Sequence, residues 1–171
     1  ISTAKEILNH FDANTLPVFS ETDITRMVDL NYILLLMATY EEDGYFGGNN
    51  QTENYVIRYN DEYPNKDSII HVFRQMFQRI TDLDLPYDSM WFRKSNFFTM
   101  FCEIVKQEDA PGDLKERLIS FEEHVMRNKG NNESHYGKYY SVMYTGTNSR
   151  AARIERGNLF KKYVIDCIEL D

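Results

Sequence analysis

Apolar side chains recur along this chain at intervals of three and four, and nowhere do they alternate with period two long enough to build a sheet. Thr3 and Glu6 stand at capping-box spacing ahead of Ile7 and Leu8, which predicts a short helix over Thr3 to Asn9 before Pro17 interrupts. Ser20 and Asp23 offer a second cap. From Asp29 onward Leu30, Ile33, Leu34, Leu36, Met37 and Tyr40 mark a helix with a wide packed face that should stop at Gly44. Thr52 can cap a helix carrying Tyr55, Val56 and Tyr59, with Pro64 as its limit. The strongest stripe is Ile69, Ile70, Val72, Phe73, Met76, Phe77 and Ile80, predicting a helix over Asp67 to Leu83.

The second half continues in the same period. Phe97, Phe98, Phe101, Ile104 and Val105 place a buried helix between Ser95 and Gln107, ended by Ala110-Pro111-Gly112. Asp113 can cap the next, whose core face is Leu114, Leu118, Phe121 and Val125, and Asn128 to Asn132 breaks it. Tyr139 to Tyr144 fits a short helix and a short strand equally well. Thr147-Asn148-Ser149 then caps a last helix from Arg150 to about Glu169. The expected fold is all-α, a multi-helix bundle of seven or eight helices with short connections, in one domain over residues 1–171.

Composition narrows the classes of function. The longest apolar run, Tyr32 to Ala38, is far short of the roughly 20 residues a spanning helix needs, so no membrane role is expected. Cys102 and Cys167 have no CxxC or histidine neighbour, which argues against a zinc site or a disulfide framework and fits a reducing cytoplasm. The formal charge is −8, yet Arg127 to Lys162 holds eight Lys or Arg against Glu133 and Glu155 alone. A phosphate-bearing partner would therefore meet the C-terminal third. The chain opens on Ile1 directly into a helical pattern, so it is expected to be a lobe of a longer protein.

Several constellations bear on chemistry. His71 and Arg74 lie one turn apart without a carboxylate at helical spacing and read as an ordinary polar contact. The carboxylate groups Asp82-Leu83-Asp84, Glu41-Glu42-Asp43 and Glu122-Glu123 read as solvated helix ends, and no two histidines stand at i, i+4, so neither a metal nor a cofactor is expected. Gly44 to Gly48 lacks the Lys-Ser/Thr of a phosphate loop. Arg150, Arg153, Arg156, Lys161 and Lys162, following the capping run Thr147-Asn148-Ser149, could set guanidinium forks and free N–H groups against a phosphate backbone, which makes DNA a candidate partner. The competing reading is a basic rim paired with acidic protein surface.

Arg117 and His124, seven apart and so on one helix face, resemble the arginine–histidine signature of the all-helical HEPN ribonucleases, although Leu118 stands where those carry a polar residue. That resemblance implies a histidine base and an arginine that stabilises charge on an RNA phosphodiester.

Three further segments together resemble the helical half of the family named after the N-terminal domain of the type IV restriction enzyme GmrSD. They are Ile24-Thr-Arg26-Met27-Val28-Asp29 before an apolar helix, Phe92-Arg-Lys-Ser-Asn96-Phe97-Phe98 to Phe101, and Thr145-Gly-Thr147-Asn-Ser149-Arg150 with Arg153 and Arg156. The resemblance implies a bacterial restriction or phage-defence setting, with a ParB-like lobe carrying an Asp-Gly-Gln-Gln-Arg signature as partner. That signature does not occur here, so the chain is expected to be the non-catalytic helical lobe. Arg26, Asp29 and Asn96 then read as structural residues, Asp29 capping a helix that begins at Leu30 and Arg26 bonding a nearby carboxylate or carbonyl.

Overall fold

Serine hydroxyls open four of the helical elements, each accepting a backbone N–H that the helix start leaves without a partner. Ser20 accepts from Asp23 while the Asp23 carboxylate accepts from the Ser20 N–H, a complete capping box. Ser89, Ser134 and Ser149 accept from Trp91, Tyr136 and Ala152. The computed structural model describes residues 1–171 as nine α-helices, eight of them seven residues or longer, with no strand. The all-α expectation is thus met. The chain divides into two compact units, Ile1–Tyr87 and Asp88–Asp171.

The first unit holds α1 (Ser2–Leu8), α2 (Glu21–Thr25), α3 (Val28–Glu41), α4 (Asn50–Arg58) and α5 (Lys66–Asp82). Helix α3 is buried nearly all round, through Leu30, Ile33, Leu34, Leu36, Met37 and Ala38, because α1, α2 and α4 all pack on it while α5 lies on α1. Phe11 joins the first helix to the α5 stripe, its ring 4.7 Å from Phe77 and 5.0 Å from Phe19. Helix α3 begins two residues earlier than Asp29 suggested. Met27, at φ 58°, turns the chain in the left-handed region, and Asp29 sits inside the first turn with its carboxylate accepting the Leu30 N–H at 2.8 Å.

The second unit runs from a 3₁₀ turn (Met90–Phe92) through α6 (Lys94–Ile104), α7 (Leu114–Arg127), α8 (His135–Tyr144) and α9 (Arg150–Phe160) to a π turn (Lys161–Ile165). Helix α9 packs on both α6 and α8, and α7 packs on α8 and the π turn. Fully buried Trp91 anchors the core, its ring 5.8 Å from Phe121 and 5.3 Å from Phe160, its indole N–H donated to the Leu118 carbonyl at 2.9 Å.

Two expectations need correction here. The segment that read as helix or strand is helical, since Ser134 caps a helix that starts at His135, ahead of Tyr139 rather than within the ambiguous run. The last helix does not reach Glu169. Its α-geometry ends at Phe160, the π turn follows, and residues 166–171 leave the helix with Cys167 at φ 56°. Tail side chains then return to α8: Asp171 accepts the His135 N–H at 2.9 Å and bonds Ser134, while Glu169 accepts from the Tyr136 hydroxyl.

Candidate functional site

Residues from the second and third segments that carried the family resemblance meet in the second unit, in a largely buried polar network. A helix leaves its last carbonyls without N–H partners, and α8 ends at Tyr144 against α6 and α9, its last turn half-buried. Side chains of those two helices take over. Ser95 donates to the Met143 carbonyl at 2.9 Å, and the Arg156 guanidinium donates Nη1 to the Val142 carbonyl at 2.7 Å. Its Nη2 reaches the Thr147 carbonyl at 3.1 Å and its Nε the Thr99 hydroxyl at 3.1 Å.

Asn96 completes the arrangement from α6. Its amide nitrogen donates to the Met90 carbonyl at 3.0 Å and its oxygen accepts the Tyr139 hydroxyl at 3.0 Å. Asn96 and Tyr139 are both fully buried, and burial pushes the Tyr139 hydroxyl well above the usual phenol range. Each member is held by partners from other elements, so the network fixes how the 3₁₀ turn, α6, α8 and α9 meet. Asn96 is thereby a structural residue. Tyr139 and Thr99 joined it unannounced, because nothing in their spacing singles them out.

The basic comb expected on α9 is not formed. Arg156 is 1% exposed and Arg153 5%, the latter with its guanidinium over the Phe98 ring at 5.4 Å. Steps of three residues turn each arginine by about 60° around a helix, enough to carry the second and third from the surface into the core. Neither can touch a phosphate backbone. Of the remaining three, Arg150 is exposed at the start of α9, and Lys161 and Lys162 are exposed at its other end, about 16 Å away. Lys161 is bonded to Asp166 at 2.8 Å, a contact that raises its pKa.

Arg117 and His124 do share a face of α7, and both lie against Tyr163. The Arg117 guanidinium donates through Nε (2.9 Å) and Nη2 (2.6 Å) to the Tyr163 carbonyl, closing the end of the π turn much as Arg156 closes α8. The His124 ring stacks on Tyr136 at 4.8 Å. Their groups are engaged in packing and in helix termination rather than presented together to a substrate.

The remaining candidates scatter. Arg26 is exposed and ends α2 without a side-chain partner, so the expected bond to a carboxylate or carbonyl is not made. Arg74 Nε lies 3.3 Å from His10, and His71 points to solvent. Glu41 and Glu42 diverge, the first accepting from Tyr55 and from Asn65 (3.0 Å), the second from Arg58 (2.8 Å). Burial lifts the Tyr55 and Tyr63 hydroxyls above their ordinary range. No three His, Cys, Asp or Glu side chains come together as a metal site would require. Both thiols are free, Cys102 buried and held protonated by that burial, Cys167 exposed. No helix is long and apolar enough to cross a membrane.

Glu122, read as a solvated helix end, instead braces the 3₁₀ turn. Its carboxylate accepts the Met90 N–H at 2.7 Å and the Ser89 hydroxyl at 3.2 Å. Burial raises its pKa from 4.5, and these two bonds only partly oppose the shift. A carboxyl with a raised folded pKa adds stability that is fully present below 4.5 and is lost as pH rises through the folded value. Urea midpoints followed by Trp91 fluorescence should therefore fall with rising pH more in the native protein than in Glu122→Gln, and parallel pH profiles would contradict this.

Set against known protein families, curated proteins and solved structures, the chain matches no family model, no curated protein and no solved structure.

Proposed function

We propose that this chain is a non-catalytic helical lobe of a GmrSD-like restriction or phage-defence protein, acting as a body on which a ParB-like lobe packs. The observation that carries the reading is the use made of the second and third resembling segments. Asn96 from one and Arg156 from the other are consumed in a single buried network. A pattern repeated for the sake of such a network marks a shared architecture and brings no active site with it.

The first segment is disposed in the opposite way. Ile24 and Met27 are 58% and 55% exposed, the Arg26 side chain between them has no partner within the chain, and Met27 holds a left-handed backbone that costs a long side chain about 1 kcal/mol. Strain and apolar exposure at one short turn are features of a contact surface, and the proposal places the ParB-like lobe there.

The reading frame that contains these codons is accordingly expected to encode an Asp-Gly-Gln-Gln-Arg stretch on the N-terminal side of Ile1. The lobe carrying that stretch, expressed as a separate polypeptide, should co-elute with this chain in size-exclusion chromatography and elute apart from an Ile24→Ser/Met27→Ser variant. A frame without the stretch, or a ParB-like lobe that ignores the chain, would refute the assignment.

A further inference from the structure

Helix α8 has two faces, and only one of them is spent on the core. Tyr136, Tyr139 and Met143 are buried, whereas half-buried Tyr140 and exposed Tyr144, four apart, stand beside that buried stripe with their rings tilted at 44° and centroids 4.8 Å apart. A cation closes each end of this pair. The Arg93 guanidinium lies 3.7 Å from the centre of the Tyr144 ring, and the Lys129 ammonium 5.6 Å from the centre of Tyr140. The four side chains come from three places: the turn before α6, the loop after α7, and α8 itself.

What these cations lack is informative. Carboxylates outnumber Lys and Arg by 27 to 19 in the chain, and the surface cations Lys66, Arg58, Arg127 and Lys161 all pair with one. Arg93 and Lys129, both exposed, pair with none, as is true of exposed Arg26, Lys138 and Lys162, but these two rest on aromatic faces. The surplus of acid belongs to residues 1–87, which hold 14 Asp or Glu against 6 Lys or Arg, while residues 88–171 hold 13 of each. The ladder thus belongs to the unit that does not itself repel a polyanion.

We infer that the Lys129–Tyr140–Tyr144–Arg93 ladder is a docking platform for single-stranded nucleic acid. Such strands need flat π surfaces for their bases and unpaired cations for their phosphates, and stacking on tyrosine or on a guanidinium plane meets the first need without reading sequence. Tyr144 is 44% exposed, so its ring edge and the outer plane of the guanidinium above it are open to a base. Lys129 supplies a phosphate contact at the other end. A duplex keeps its bases stacked inward and can use only the two cations. An acidic peptide could pair with the cations as well, but it would make no use of the guanidinium plane or of the exposed Tyr144 edge. The inference does not depend on the family assignment.

The test is fluorescence anisotropy of the full 171-residue chain with a labelled oligothymidylate of about twelve nucleotides, within the site sizes that stacking platforms cover. Its comparators are the same strand as a duplex, an abasic strand of equal length, and oligoglutamate as competitor. Single strand should bind best, and Tyr144→Ala should weaken it roughly tenfold, while Tyr144→Phe, which keeps the ring, should stay within about twofold. Arg93→Ala or Lys129→Ala should each flatten the logarithmic salt dependence by about 0.7. Circular dichroism and Trp91 fluorescence keep folding defects apart from binding defects, since all four side chains are at the surface or half-buried. Equal affinity for duplex or abasic strand, indifference to Tyr144→Ala in a folded variant, displacement by oligoglutamate at equal concentration, or no binding at all would each overturn the inference.

Discussion

Replacing Arg156 with alanine is expected to cost about 4 kcal/mol, and Arg156→Lys about half of that. Alanine removes donors from two carbonyls of half-buried residues, Val142 and Thr147, and from the hydroxyl of fully buried Thr99, and it empties the space of a side chain that is 1% exposed. Unsatisfied buried acceptors that had bonded a charged group account for most of the loss, and the cavity left by the side chain adds to it. Lysine restores the charge but presents a point rather than a fork, so it can serve one acceptor well and abandons the others. Trp91, the sole tryptophan, lies in the same unit, so its fluorescence during urea unfolding reports on residues 88–171 without a signal from the first unit. Lys162→Ala, at an exposed position in the following turn, should remain within about 0.5 kcal/mol of the native protein. An Arg156→Ala midpoint that coincides with that of Lys162→Ala would show the buried network to be dispensable.

The position of Arg156 also explains where sequence was a good guide and where it failed. Periodicity recovered α5 almost to the residue, Asp67 to Leu83 expected against Lys66–Asp82 observed, because a long amphipathic stripe dominates every competing signal. Of its seven predicted apolar positions only Val72 stays half-exposed. Helix α8 was obscure because tyrosine suits strand and helix alike and appears at every level of burial there, buried at Tyr136 and Tyr139, half-buried at Tyr140 and exposed at Tyr144. The arginines failed for a different reason. A charged residue reads as surface, and the need for a buried donor arises only where the end of another helix is covered, a fact of tertiary packing with no trace in the local sequence. Arg156 at the end of α8 and Arg117 at the end of the π turn both meet that need. The ladder on α8 was hidden likewise: Tyr140 and Tyr144 share a face in helix and strand alike, but Arg93 and Lys129 arrive from elsewhere in the fold.

Gly137→Ala is the second substitution from which a large effect is expected, and its sign runs against helix propensity. Gly137 lies in the first turn of α8, and an exposed helical glycine gains roughly 1 kcal/mol on conversion to alanine. Here the added Cβ would stand 1.9 Å from the Asn131 carbonyl oxygen and 2.7 Å from that of Asn128. Both are backbone atoms of the α7–α8 connection, held by the bonds from Asn131 N–H to Asn128 and from Ser134 N–H to Asn131, so no side chain can swing aside to relieve the clash. The connection must move as a body or α8 must fray, and either route is expected to cost about 3 kcal/mol or more. The loop that would be displaced carries Lys129, so the fraction of Gly137→Ala that remains folded should also lose the ammonium from Tyr140 and bind single strands more weakly. Gly112, which has open space around its Cβ position and an ordinary φ, supplies the control: Gly112→Ala should leave the urea midpoint nearly unchanged. If Gly137→Ala proves as stable as Gly112→Ala, the close approach of α8 to the Asn128–Asn131 backbone does not exist in solution, and the placement of Lys129 over Tyr140 loses its support with it.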